Sequence, residues 1–502
     1  MVQLSPCFVQ VSFQLHRKFF LNPLLQIRKD SFIYGIGIAF SKGLSLILLP
    51  IYTRLFPPVE YALIEILTMT HIFLSLFINM GLDAAQSYYF FEQKKKGGKQ
   101  KQAELVTSIL KWNLSIGTLI TFFAVLISPV LSFLLFEGRI RWELFLVIFS
   151  GTLFFQITLQ SAHIFQLLFR PWNYLGITFF QSFASAAIAI GLIVWLDMGI
   201  MGYFIGFSLG SLIAGLVGWW LAREYIDWSA STKEQWPRIS KFGMPLIPSN
   251  FAFYFMESSD RWILGFYHGG VVLGIYAVGL KLAMAMNLLV EPFRKACGPI
   301  IYKSIHESEC QRIFPVMIRL YMGIGSAIVV LLTTASPFLV KLVTIPDYFN
   351  AYNVVGLLGW KQLFYGLFLF SAMGIYKKEK TKLEAYISGF TALLNLTMLY
   401  FFVPENSGEG AALAMLISFL LWNFLAFAIS QRLWPIAYPW AILLGQVTLG
   451  LFATFILLYF FETGEGGWKI YLFASVSILI LIASSAKLIT FQKWYKLLIF
   501  SR

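Results

Sequence analysis

Charged side chains are scarce in this chain of 502 residues. Aspartate, glutamate, lysine and arginine make up 12% of it, whereas a soluble domain carries about 25%. Hydrophobic residues make up 58% and are spread along nearly the whole chain, with a mean hydropathy of +0.74. This excludes a soluble protein with one membrane anchor, because a single anchor would gather the apolar residues in one run. We therefore predict an all-α polytopic membrane protein.

Cysteine is scarce as well, since the chain has only Cys7, Cys297 and Cys310. Their odd number and their spacing do not fit a disulfide framework or a metal site, so we expect neither. The sequence has no Walker A pattern to bind the phosphates of ATP, which argues against ATP as the direct energy source. We expect no cofactor and no enzymatic activity.

The first thirty residues lack a clear signal-peptide cleavage site. Their apolar runs are broken by Arg17, Lys18, Arg28 and Lys29. We interpret residues 1–30 as a cytoplasmic N-terminal segment. It either lies in the membrane interface as an amphipathic segment or precedes the true start of the protein.

The formal net charge is nevertheless +14. The basic residues lie in short loops between apolar spans and favour alternate loops, as the positive-inside rule requires. The loops on the other side hold only Arg54, Arg139, Arg141, Lys341 and Lys469. This asymmetry predicts that both termini are cytoplasmic. It also accounts for the positive net charge, so we do not expect the protein to bind nucleic acid.

The apolar residues form about fourteen spans, each long enough to cross about 30 Å of hydrocarbon at about 1.5 Å per residue. They lie near residues 31–54, 60–82, 106–136, 142–168, 174–196, 199–222, 242–267, 271–291, 314–340, 353–375, 382–403, 410–430, 438–461 and 467–488. An even number of spans agrees with two termini on the same side.

The polar linker at residues 223–241 divides this series. We predict an N-lobe at 31–222 with spans one to six, and a C-lobe at 242–430 with spans seven to twelve. Residues 431–502 then form an appended pair of spans and a cytoplasmic tail. A turn at Pro57 and Pro58 corresponds in role to a turn at Gly269 and Gly270, which suggests a duplicated six-helix unit with parallel repeats.

Two hairpins of this chain resemble a known family. The stretches Lys42 to Leu67 and Asn79 to Phe90 resemble the first hairpin of the oligosaccharide flippases called Wzx or RfbX, which are polysaccharide-biosynthesis exporters of the MOP superfamily. The stretch Ser258 to Leu282 is similar to that family's seventh and eighth spans. The matching positions are Asp260, Arg261, Leu264, Gly265, Gly274 and Tyr276. Ala62 stands where the family usually has glycine, which suggests a divergent member.

The resemblance implies two six-helix lobes around a central cavity that alternates between inward-open and outward-open states. It implies that an undecaprenyl-pyrophosphate-linked oligosaccharide moves from the cytoplasmic to the outer face of the inner membrane, for surface polysaccharide biosynthesis. The implied partners are this lipid-linked substrate and membrane lipids. A polysaccharide polymerase and a chain-length regulator are further candidates.

A cavity that receives a pyrophosphate should be wet and cationic, because fixed positive charge offsets the lost hydration of the anion. The candidate substrate-binding residues are therefore the basic residues inside spans: Lys42, Arg261, Lys281 and Lys361. Each has an alternative role. Lys42 could reach the interface, Arg261 could form a structural ion pair, and Lys361 is favoured to snorkel to the outer interface. Lys281 lies near the middle of its span and is predicted to face the cavity.

Two glutamines and a histidine form a polar stripe in the fourth span. Gln156, Gln160 and His163 are four and three residues apart, so they share one helix face. Such a stripe either lines a sugar passage or binds neighbouring helices to each other. We include both glutamines among the candidate substrate-binding residues.

The candidates for gating or coupling are Asp83, Asp260, His71 and His163. Asp83 and Glu65 lie in or next to the second span, where Asp83 is suited to a helix cap or a gate contact. His71 either titrates in a proton-coupled cycle or forms a hydrogen bond between helices.

Three classes of function remain open on the sequence alone. Besides the lipid-linked oligosaccharide flippase, they are another exporter of the same fold and a membrane-embedded glycosyltransferase or polymerase. The second class includes multidrug and cation antiporters and peptidoglycan-precursor flippases. A drug exporter would favour acidic cavity residues, whereas the charges inside these spans lean basic. The short outer loops leave little room for the motifs of a polymerase, so we favour the flippase.

Overall fold

The computed structural model describes residues 43–136, 141–229, 235–294, 310–378, 380–464 and 467–486. Within these ranges the ordered elements are helices, and no β-strand occurs. The helices are α1 (Gly43–Leu55), α2 (Pro58–Asn79), α3 (Leu82–Trp112), α4 (Thr118–Phe136), α5 (Glu143–Leu167), α6 (Pro171–Leu196), α7 (Gly199–Leu221), α8 (Gln235–Gly243), α9 (Ile247–Ala283), α10 (287–294), α11 (Cys310–Val343), α12 (Tyr352–Ser371), α13 (Met373–Lys377), α14 (Thr381–Leu433), α15 (Trp440–Thr463) and α16 (Trp468–Ala486). A π-helical turn at Asn113–Gly117 joins α3 to α4.

Eleven helices in the described part of the chain are long and apolar enough to cross a membrane. The predicted all-α polytopic fold is therefore confirmed. The count of about fourteen spans stays a prediction, because half of the first predicted span lies outside the described residues and the helices α3, α9 and α14 each contain a reversal. The division into two lobes also stays a prediction, so we refer below to a first helix group (α1–α7) and a second helix group (α9–α14).

The break in α9 lies where the sequence predicts a turn. Gly269 has φ 75° and ψ −171°, a conformation that a residue with a Cβ atom rarely adopts. The Tyr276 hydroxyl donates a hydrogen bond of 2.6 Å to Oδ2 of Asp260, sixteen residues earlier. In a straight helix these residues would be about 24 Å apart along the axis. The chain therefore reverses at Gly269, and α9 is a hairpin of two antiparallel arms.

Helices α14 and α3 contain similar reversals. In α14, Ser407 has φ 52° and ψ −131°, and Gly410 lies directly against the backbone carbonyl of Phe402. In α3, the positive φ of 63° at Gly98 lets Gln102 donate to the carbonyl of Phe90 at 3.4 Å. The reversal in α3 falls within the lysine-rich run at 94–101, between the predicted spans 60–82 and 106–136.

Helix α2 packs against α9 from one end to the other. Near one end the ring centroids of Phe73 and Phe251 are 5.5 Å apart. At the other end Gly274, on the second arm of α9, lies directly against the backbone of Pro58. The two helix groups are therefore joined along the hairpins that the sequence analysis aligned as repeats.

Two more hydrogen bonds join the groups near the Pro57 turn. Tyr348 lies in a 3₁₀ turn at Pro346–Ala351, and its hydroxyl donates to the carbonyl of Phe56 at 2.7 Å. The Thr53 hydroxyl donates to the carbonyl of Val343 at 2.8 Å. This end of the contact is therefore closed by direct bonds between α1 and the end of α11.

We expect Gly274→Ala to weaken this contact. The added methyl group would collide with the carbonyl of Pro58, and backbone atoms cannot move aside as a flexible side chain can. Overpacking of this kind costs about 1–3 kcal/mol. The loss would appear as a lower unfolding temperature of the detergent-solubilised protein. Gly445→Ala is the matched control, because no atom lies within 4 Å of its new Cβ, and it should be neutral or slightly stabilising.

The linker between the two helix groups packs against the first helix group. Arg238 in α8 donates to both carboxylate oxygens of Glu92 in α3 at 2.7 Å. The Trp236 indole donates to the carbonyl of Ser108 at 3.0 Å. The described part of the linker is therefore held against α3.

The last two helices are attached to the second group through α11. Arg319 of α11 donates from Nε to the carbonyl of Ser484, near the end of α16, at 2.7 Å. Gln446 of α15 donates to the Ser484 hydroxyl at 2.8 Å. The sequence analysis did not single out Arg319, whose buried charge lies at the end of α16 where the helix dipole favours a cation.

Candidate functional site

A buried ion-pair cluster lies where α2 meets the α9 hairpin. Oε1 of Glu65 is 2.9 Å from Nζ of Lys281, and its Oε2 is 3.7 Å from Nη1 of Arg261. Glu65 comes from α2, whereas Arg261 and Lys281 come from the two arms of α9. The hairpin brings these two basic side chains together, although they are twenty residues apart in the sequence. One carboxylate of the first helix group therefore binds two cations of the second.

Arg261 makes further contacts inside the second group. Its Nε lies 3.3 Å from Oδ1 of Asp260, and its Nη2 donates to the carbonyl of Glu257 at 2.7 Å. Asp260 is buried and also accepts the Tyr276 hydroxyl described above. Arg261 therefore contacts residues of both helix groups. Among these contacts is the ion pair that was the alternative to a role in substrate binding.

Lys361 of α12 belongs to the same cluster. Its side chain is 1% exposed, forms an ion pair with the Glu257 carboxylate and lies 5.0 Å from the ring centroid of Phe419. Lys361 therefore does not snorkel to the outer interface, as had been expected, but lies buried in the interior. An acidic partner and an aromatic face are available in the interior, so the ammonium group has no need to reach water.

The cluster is balanced in charge. It contains three carboxylates, of Glu65, Glu257 and Asp260, and the three bases named above. The expected cationic cavity is therefore not present in the cluster itself, because each basic residue has an acidic partner. A buried charge with no partner costs several kcal/mol, so the bases are paired as long as no other anion binds them.

A cavity of about 200 Å³ borders the cluster. It lies between α1, α2, α6 and α7, with Lys281 of α9 in its wall. Its lining residues are Ser45, Leu48, Tyr52, Tyr61, Ile64, Glu65, Gln181, Ser182, Ser185, Ala186, Ala189, Tyr203, Phe207 and Lys281. Of these, only Glu65 and Lys281 were singled out from the sequence. The sequence gives only a weak signal for the others: Gln181 and Ser185 are four residues apart and share one face of a mostly apolar helix.

The polar stripe of α5 does not line this cavity. Gln156 donates to the hydroxyl and, at 3.3 Å, to the carbonyl of Ser75 in α2. Gln160 accepts from Asn113 of the π-helical turn. His163 contacts Gln86 of α3 at 3.0 Å. These contacts bind α5 to its neighbours, which supports the helix-binding alternative for the stripe.

His71 and Asp83 also lie apart from the cluster. Nδ1 of His71 is 2.9 Å from the hydroxyl of Thr152, and the ring packs edge-on against Phe155. Oδ2 of Asp83 accepts from Asn79 at 2.9 Å. The structure therefore places both residues in contacts within the first group, and their roles in gating or coupling stay predictions. Lys42 lies outside the described residues.

Solved structures similar to this chain are transporters. One, described as the lipid II flippase MurJ in an inward closed conformation, matches 90% of this chain and 98% of its own, with a TM-score of 0.68 and 15% identity. Another is an inward-facing multidrug resistance MATE family transporter of the MOP superfamily. It matches 80% of this chain and 97% of its own, with a TM-score of 0.65 and 12% identity. At these identities the matches show the fold, which is that of the MOP superfamily.

The sequence identifies the family within that fold. Residues 27–305, more than half of the chain, match the family of polysaccharide biosynthesis proteins, and the chain belongs to this family. A relative in Haemophilus influenzae, described as Lsg locus putative protein 1, is 24% identical over 296 residues, which cover 57% of this chain and 68% of the relative. The protein is thus a multi-pass membrane protein of the polysaccharide biosynthesis family, with the fold of these transporters.

Proposed function

We propose that this protein is a flippase for undecaprenyl-pyrophosphate-linked oligosaccharides. It moves them from the cytoplasmic to the outer face of the inner membrane by alternating access and catalyses no covalent step. The family and the fold support an exporter. The observation that carries the proposal further is the contact of Glu65 with Lys281 and Arg261, because it places two cations between the helix groups that must separate for a substrate to pass.

The charge balance of the cluster suggests how an anion acts on it. A diphosphate carries more negative charge than one carboxylate, and its oxygens accept several charge-assisted hydrogen bonds. In our proposal it displaces Glu65 from Lys281, which has the most exposed side chain among the three bases of the cluster, at 27%. The contact between the helix groups then loosens. Lys42 remains a predicted further contact.

A gradient is needed to return the empty protein to its starting state. Moving one charge across 100 mV supplies about 2.3 kcal/mol, which is enough to bias such an equilibrium strongly. In this proposal a proton or another cation carries that charge.

Accumulation of lipid-linked saccharide in a deletion strain tests the proposal. We expect complete repeat units to build up on the inner face, where an impermeant lectin or enzyme added outside cannot reach them. Restoring the gene should return the outer-face fraction to that of the parent strain. Single repeat units that reach the outer face but are never lengthened would contradict the proposal and indicate a polymerase instead.

A further inference from the structure

The cavity beside the ion-pair cluster contains hydroxyl groups that the described protein does not satisfy. Tyr52, Tyr61 and Tyr203 all line it, and none of their hydroxyls makes a hydrogen bond with another described residue. Tyr61 is 5% exposed. Tyr52 and Tyr203 are partly exposed, and the three hydroxyls border one space. A hydroxyl can donate and accept hydrogen bonds, so these groups are available to a polar ligand in the cavity.

A fourth polar group in the cavity is held in a fixed orientation. Nε2 of Gln181 donates to the hydroxyls of Ser185 at 3.3 Å and Ser211 at 3.2 Å. Its Oε1 accepts from Ser182 at 3.3 Å. The carboxamide is therefore fixed by residues of α6 and α7, and its Oε1 keeps a second lone pair with which it can accept a hydrogen bond from a ligand.

Part of the wall is apolar. Leu48, Ile64 and Phe207 line the same space, and the Tyr52 and Tyr203 rings meet edge to face with centroids 5.2 Å apart. A sugar ring has this mixed character, because its hydroxyls project at the rim while its C–H groups form apolar faces. The volume of about 200 Å³ is below the range of about 300–1,000 Å³ typical for drug-sized ligands, so the cavity suits one ring rather than a whole repeat unit.

The position of Lys281 links this space to the substrate. Its ammonium group forms part of the cavity wall and is also the proposed contact of the diphosphate. We propose that the cavity is a monosaccharide subsite, in which Tyr52, Tyr61, Tyr203 and Gln181 bind one sugar ring while the adjoining diphosphate lies at Lys281. This inference rests on the proposed function and adds the residues that would determine which sugar is accepted.

Reconstituted transport of two lipids tests the subsite. The purified full chain is placed in liposomes with undecaprenyl diphosphate, either bare or bearing one hexose, N-acetylhexosamine or 6-deoxyhexose. An impermeant reagent measures the movement of each lipid. We expect at least one sugar-bearing lipid to move about tenfold faster than the bare one, which is a ratio that one or two hydrogen bonds can produce.

Tyr61→Phe and Tyr203→Phe should bring that ratio close to one, because each slows the sugar-bearing lipid about tenfold relative to the bare lipid. Each removes only a hydroxyl that has no described partner, so the unfolding temperature of the ligand-free protein should not fall. Tyr400→Phe is the matched control, since its side chain is 60% exposed and far from the cavity lining. It should retain the full ratio.

The outcomes separate this inference from the proposed function. If the unsubstituted protein moves neither lipid, the proposed function fails and the subsite fails with it. If the protein moves both lipids equally, or if the tyrosine variants keep the full ratio, the flippase stands and the subsite is overturned. A parallel loss of both lipids in the variants would also overturn it, because a sugar site cannot act on a lipid without sugar.

Discussion

Lys281→Met will abolish export while leaving the folded protein intact. The lysine lies at the cavity wall with a side chain 27% exposed, so methionine replaces its stem without opening a void. Glu65 keeps Arg261 as a neighbour at 3.7 Å. Removing one partner of a charge pair at a binding site costs about 2 kcal/mol or more, so we expect at least about a 30-fold loss of outer-face saccharide per folded molecule.

Lys361→Met is the matched comparison within the same cluster. Lys361 is buried and bound to Glu257, so its loss leaves that carboxylate without its cation. We expect about 3 kcal/mol of destabilisation and less monodisperse protein after detergent extraction. Export per folded molecule should fall much less than in Lys281→Met. Equal export from both variants, normalised to folded protein, would contradict a special role for Lys281 in binding the anion.

The hairpin of α9 was predictable because its signals are local. Gly269 and Gly270 interrupt an apolar run that is too long for one span, and only glycine adopts the φ of 75° easily. The charges at Asp260, Arg261 and Lys281 were equally visible, since charged residues inside apolar spans are rare. The sequence therefore indicated which charged residues of α9 the cluster contains, whereas their role in binding a substrate stays a prediction.

The partners of these charges were not predictable. Whether Lys361 reaches the interface depends on Glu257 and Phe419, which lie on other helices and are brought close only by packing. The cavity was missed for the same reason, since its residues are distributed over α1, α2, α6, α7 and α9. No local sequence pattern distinguishes Tyr203 or Gln181 from residues that only pack against neighbouring helices.

Glu65→Gln is expected to destabilise the protein and stop export. Glutamine keeps the shape of the side chain but leaves Lys281 without its anion, and Arg261 then has an ion pair with Asp260 but not with residue 65. Breaking a buried pair in this way costs about 3–5 kcal/mol. The unfolding temperature and the outer-face fraction measure the two effects separately.

The double variant Glu65→Gln with Lys281→Met then shows whether the ion pair only stabilises the protein or whether Lys281 also binds the diphosphate. With both charges removed, most of the lost stability should return, since contacting residues show coupling energies of about 0.5–3 kcal/mol. Export should nevertheless stay absent, because the diphosphate would have no Lys281 to bind. If the pair only held the helix groups together, the double variant would regain export along with stability. That result would remove Lys281 from the substrate path and leave Glu65 as a purely structural carboxylate.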